Sequence, residues 1–187
     1  MNNRPLINAN RTQRGLVFLV TSLLGLGALN AKAEQIDDQL LVSGTQIPDS
    51  RVNDGRHFVQ EVSFGVSGRF GLFKEWSTTS LSYNKAVHGV VTLSITGHGV
   101  MEFPSGDSIF YRFHGTVTTS NGAKPVDLIA TQAAQVASCQ VTIEGGTGVF
   151  AGVWGDGEMT WLSNSSNQFT SQLDLTLEVP FPGRGGR

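Results

Sequence analysis

Four stretches of this chain alternate apolar and polar residues with a period of two, and that pattern narrows the fold sharply. The cleanest is the last: Phe169, Leu173, Leu175, Leu177, Val179 and Phe181 against Thr170, Gln172, Asp174, Thr176 and Glu178. "SIFYRFHGTVT" sets Ile109, Tyr111, Phe113 and Val117 against Arg112, His114, Thr116 and Thr118. "GVVTLSITGHGVMEF" sets Val91, Leu93, Ile95 and Met101 against Thr92, Ser94, Thr96 and His98, and "EVSFGVSG" puts Val62, Phe64 and Val66 on one side. Successive side chains of a strand point to opposite faces, so such alternation marks half-buried antiparallel strands.

No stretch after the leader holds a 3.6-residue pattern. "LIATQAAQVASC" (128–139) is rich in helix formers but runs without a break into the β-like "QVTI", and it reads as strand or loop. Turn signals separate the runs: Pro104-Ser105-Gly106-Asp107, Asn121-Gly122, and Ser163 to Asn167. Many short strands divided by such turns predict an all-β sandwich or barrel over 57–181. Residues 34–56, polar and punctuated by Gly44, Pro48 and Gly55, read as an arm or loop, and 182–187 as a disordered tail.

One hairpin takes a register. A loop over Phe103–Asp107 pairs Glu102 with Ser108, Val100 with Phe110, His98 with Arg112 and Thr96 with His114. The other face then pairs Met101 with Ile109, Gly99 with Tyr111 and Gly97 with Phe113, so that rings cover bare glycine backbone. A slip of one residue would destroy this segregation of faces.

The first 33 residues read as a secretory signal peptide. Arg4, Arg11 and Arg14 precede the apolar run "LVFLVTSLLGLGAL", and Ala31-Lys32-Ala33 offers a small-x-small site with cleavage after Ala33. The run is shorter than the roughly 20 residues a membrane span needs, so no stable membrane insertion is expected after cleavage. The expected location is secreted or periplasmic. Of the 13 Lys and Arg, four (with Lys32) lie in this leader, which holds none of the 15 Asp and Glu, so the mature chain is acidic by a net six. Such a chain lacks the basic face that nucleic acid requires.

Cys139 is the one cysteine, so no internal disulfide can form, and in "ASCQVTI" it reads as a small buried residue rather than a nucleophile. His57, His88, His98 and His114 are scattered without zinc-type spacing, and no metal site is expected.

Six glycines crowd "IEGGTGVFAGVWGDGEM" (143–159). A Walker loop needs a lysine that is absent after Lys124, and the dinucleotide fingerprint fails because glycine arrives one place late, at Gly152. Both also need a helix N-terminus at the phosphate, which this chain does not offer. A strand–turn–strand device remains, with glycines supplying backbone angles and close approaches.

"GGTGVFAGVWGDGEMT" resembles the "GGTGxFxGAxGxGxxT" stretch of the allene oxide cyclase and dirigent superfamily, and "SGDSIFYRFHGTV" is similar to the strand that precedes it in bacterial secreted members. Val153-Trp154 departs from the alanine and small residue usual there. The resemblance implies a small, calycin-like antiparallel β-barrel of about eight strands, often trimeric, with an apolar pocket and no cofactor. It implies catalysis, where present, by orientation and exclusion of water.

On this footing the expected function is binding of a small apolar molecule, as a cofactor-free cyclase, isomerase or stereochemical guide. The alternative is a non-enzymatic exported binding or structural module. A homo-oligomer, trimer or dimer, is implied only by the resemblance. The candidate catalytic set is His98, Arg112, His114 and Glu102, which share one face of the hairpin: imidazoles to exchange protons and a guanidinium to stabilise an oxyanion. The plain alternative is a wet strand surface. Candidate ligand-lining residues are Phe110, Tyr111, Phe113 and Trp154. Which hairpin face lines the interior stays open at this point.

Overall fold

A computed structural model describes residues 33–53, 56–88, 90–119, 135–164 and 167–180. They form eight antiparallel strands: β1 (Glu34–Asn53), β2 (Arg56–Ser67), β3 (Gly71–Val87), β4 (Val90–Glu102), β5 (Ser108–Thr119), β6 (Gln135–Gly146), β7 (Trp154–Ser163) and β8 (Gln168–Val179). Each pairs with its neighbours in sequence, and β8 pairs back onto β1, closing the barrel. A circuit of directly paired residues that starts at Gln46 passes Glu61, Ser77, Gly99, Tyr111, Ile143, Gly155 and Leu177. It returns to β1 at Ile36, ten residues from where it began. This stagger tilts the strands and sets the width, and eight strands leave room for packed side chains or one small ligand.

The expected β4–β5 register is the observed one, from Glu102↔Ser108 to Thr96↔His114. Closure lets glycine and ring meet across several strand pairs. Gly97 lies under Phe113, Gly99 under Tyr111, Gly65 under Phe73 and Gly44 under Phe169, each pair directly opposed. At these sites a Cβ would stand under 3 Å from a ring carbon. The glycines therefore admit rings that a narrow barrel could not otherwise hold.

Residues 34–53, expected as an arm, form a full barrel strand instead. Leu40 and Val42 turn inward, and β1 pairs with β8 from Glu34 to Thr45 and with β2 from Leu40 to Asn53, so its middle is held on both sides. Two-sided hydrogen bonding supports a strand whose own apolar face is weak, which local pattern does not reveal. The glycine block is strand–turn–strand, but β7 starts only at Trp154, after a 3-10 turn over Gly148–Phe150. Gly148 has φ +56°, a backbone conformation that favours glycine, and a Cβ there would push the Asp107 carboxylate aside. The leader before Ala33, Asn121-Gly122, residues 128–134 and the 182–187 tail lie outside the described residues.

The two ends of the barrel differ. At one, Phe70, Phe103 and Phe150 meet with centroids 4.8–6.1 Å apart and form an aromatic plug. Ser67 braces the neighbouring turn: its hydroxyl donates to Asp38 and accepts the N–H groups of Arg69 and Phe70. At the other end Thr119, Gln135 and Ser163 lie side by side on β5, β6 and β7, all buried and polar.

Candidate functional site

The hairpin presents Tyr111 and Phe113 to the interior, 2% and 4% exposed, and turns its charged face outward. His98, Arg112, His114 and Glu102 are all exposed. Register brings His98 beside Arg112, and Arg112 Nε lies 3.5 Å from Glu144 Oε1 in an exposed ion pair. None of the four reaches the barrel interior. Among the ligand-lining candidates, Tyr111 and Phe113 stack inside with centroids 6.1 Å apart, whereas Phe110 and Trp154 are on the outer wall.

The interior carries a polar cluster that the sequence reading missed. On β2 and β3 the inward residues include Glu61, Ser63, Glu75, Ser77 and Thr79, all buried. Ser63 donates to Glu75 Oε2 at 2.6 Å, and Tyr111 reaches across from β5 to donate its hydroxyl proton to Glu75 Oε1. Ser77 donates to Glu61 Oε2 at 2.7 Å, and half-buried Gln46 donates to Glu61 Oε1 at 3.2 Å. Among the described residues the buried Thr79 hydroxyl has no hydrogen-bond partner. Among the described residues no Lys, Arg or His is buried to balance these carboxyls.

Burial therefore dominates the electrostatics. It pushes Glu61 up to about 7; the bonds from Ser77 and Gln46 oppose the rise, and the Glu75 charge adds to it. Burial raises Glu75 as well, against the pull of Ser63 and Tyr111. Tyr111 is raised well above the usual phenol value by burial and then by Glu75, so it stays a donor. Cys139, buried on β6, is pushed up to about 12 by burial and by the Glu61 charge, which keeps it a thiol.

Two further buried donors at the polar end, Thr119 Oγ1 and Trp161 Nε1, have no hydrogen-bond partner among the described residues. Orphaned buried groups are uncommon and mark places that water or a ligand can occupy. Grooves of about 660–690 Å³ run along the outer wall. No group of three or more His, Cys, Asp or Glu among the described residues is placed to hold a metal ion.

One signal could have pointed to the cluster. In "FVQEVSFGVS" the residues alternating with Val62, Phe64 and Val66 are Glu61, Ser63, Gly65 and Ser67. Small and acidic residues at every second place are compatible with a narrow, lined interior, although local periodicity assigns them to solvent. No family model, curated protein or solved structure matches this chain significantly, so the barrel stands on its own geometry.

Proposed function

We propose that this is an exported β-barrel that takes a small, largely apolar molecule into its interior past the polar end, with Glu61 as its proton-exchanging group. The observation that carries the reading is the burial of Glu61 and Glu75 inside the barrel with no Lys, Arg or His buried beside them among the described residues. Burying carboxyls costs stability, and hydrophobic side chains of the same volume would fill the space more favourably. A carboxyl that titrates near 7 is matched to giving and taking protons at neutral pH.

In a cofactor-free isomerisation Glu61, ionised, takes a proton from carbon and returns it to another atom of the same molecule, so no oxidant or co-reactant enters. Tyr111 holds Glu75 through its hydroxyl, and the surrounding rings exclude water. The earlier candidates His98, Arg112, His114 and Glu102 have no part in this reading, since they face outward. The second reading is a non-enzymatic binding or structural module, favoured by the grooves that run along the outer wall.

A neutral fluorescent probe, N-phenyl-1-naphthylamine, tests the binding. Saturable one-to-one binding is expected, tighter below pH 7 because protonated Glu61 makes the interior less polar. In Glu61→Gln that pH dependence should disappear. Binding that ignores pH in the wild-type protein, or no binding, overturns the reading.

A further inference from the structure

We propose that the outer groove across β2–β5 is a carbohydrate site that takes a neutral, unbranched sugar chain, distinct from the interior site. The register builds this groove from two parallel rows. Val62, Trp76, Val100 and Phe110 are directly opposed from strand to strand and form one wall. Gln60, Thr78, His98 and Arg112, two places along each strand, are opposed in the same way and form the other. Between the rows Ser77 and Tyr111 are buried and Gly99 has no side chain, so the floor is backbone. The groove holds about 660 Å³, inside the roughly 300–1,000 Å³ of small-ligand sites.

The two walls make different demands on an occupant. Trp76 and Phe110, 39% and 41% exposed, stand on β3 and β5 with the shorter Val100 between them. At about 4.8 Å per strand spacing their chains are roughly 9.5 Å apart, which admits a ring over Val100. Aromatic faces are electron-rich and attract C–H groups polarised by neighbouring oxygens. On the polar side Gln60, Thr78, His98 and Glu144 mix donors with acceptors. A hydroxyl both donates and accepts, so it finds a partner along such a wall whichever way it turns. A sugar ring meets both demands at once, with C–H faces and a rim of hydroxyls.

Other occupants fit less well. Arg112 and Glu144 pair at 3.5 Å, so a charged ligand finds its opposite charge already engaged. An α-helix, about 10–12 Å across, is wider than the roughly 7 Å between the two rows. An extended peptide needs a free strand edge, and the strands that carry the groove are paired on both sides.

Calorimetric titration of the mature chain with cellohexaose and with chitohexaose tests this. One-to-one binding of at least one of them is expected, with a dissociation constant of about 1 mM or tighter. Trp76→Ala and Phe110→Ala should each weaken it by more than about tenfold, and Phe110→Ala gives the reading if Trp76→Ala does not fold. Trp154→Ala removes an exposed ring on β7 outside the groove and should leave binding unchanged, with circular dichroism reporting the fold of each variant. Absence of binding to both sugars overturns the proposal. So does binding that survives both groove variants, or that Trp154→Ala weakens equally, which marks unspecific adhesion to exposed rings. If 2-naphthol binds in the groove and neither sugar displaces it, the proposal falls and the groove is assigned to aromatic ligands.

Discussion

Strands β2 and β8 are each 12 residues long and alternate over most of their length, yet β2 from Glu61 to Ser67 uses the alternation in the opposite way from β8. In β8 the apolar set, Phe169, Leu173, Leu175 and Leu177, is buried, while Thr170, Gln172 and Asp174 are exposed. In β2 the apolar set Val62, Phe64 and Val66 is exposed, while Glu61 and Ser63 are buried. Alternation fixes that two faces exist; it does not say which one the barrel will enclose. The inner face of β2 must fit beside Phe73 and Tyr111, and Gly65 and Ser63 leave the room those rings occupy.

The largest expected difference between the two strands lies in truncation. Leu173→Ala, at a fully buried position of β8, should cost about 2–5 kcal/mol in urea unfolding. Phe64→Ala on β2, at an exposed place, should cost about 0.5 kcal/mol or less. A large loss at Phe64 would break the comparison.

Overfilling the interior tests the ring-over-glycine packing. A Cβ at Gly97 would stand 2.3 Å from the Phe113 ring and 2.6 Å from the Thr78 carbonyl oxygen, so Gly97→Ala should cost about 1–3 kcal/mol, read as a lowered midpoint.

The acidic lining of β2 predicts a pH signature that β8 lacks. Because Glu61 is raised from 4.5 to about 7, the folded protein binds its proton more tightly than the unfolded chain. The stability this group contributes is therefore fully present below pH 4.5 and is lost as pH rises through about 7, with a slope of at most about 1.4 kcal/mol per pH unit. Glu61→Gln should flatten that part of the stability–pH curve. An unchanged slope would mean that Glu61 is already ionised in the fold.

The smallest effect belongs to the exposed hairpin face. Arg112→Ala breaks only an exposed pair with Glu144 and should change stability by about 0.5 kcal/mol or less, and His98→Ala should leave N-phenyl-1-naphthylamine binding unchanged.

Much of the architecture was legible in local pattern. Period-two alternation, the Phe103–Asp107 turn and glycine opposite ring were enough to place the β4–β5 hairpin residue by residue. Two features escaped for different reasons. β1 was invisible as a strand because its support comes from partners distant in sequence, with Gly44 opposite Phe169 and Leu40 opposite Leu173. The carboxyl cluster escaped because Glu61 and Glu75 alternate with apolar neighbours, and local periodicity places such residues in solvent.

By itself the sequence determined strands rather than helices, the Phe103–Asp107 turn and the pairing of β4 with β5, since these depend on the two-residue period and on glycine's backbone freedom. Tertiary structure alone decided which face of each strand is inside. That choice is made by closure: once β8 returns to β1, every side chain must fit a shared volume of fixed width. Fitting it put Glu61, Glu75 and Tyr111 inside, and left Phe64 and Trp76 for something else to cover.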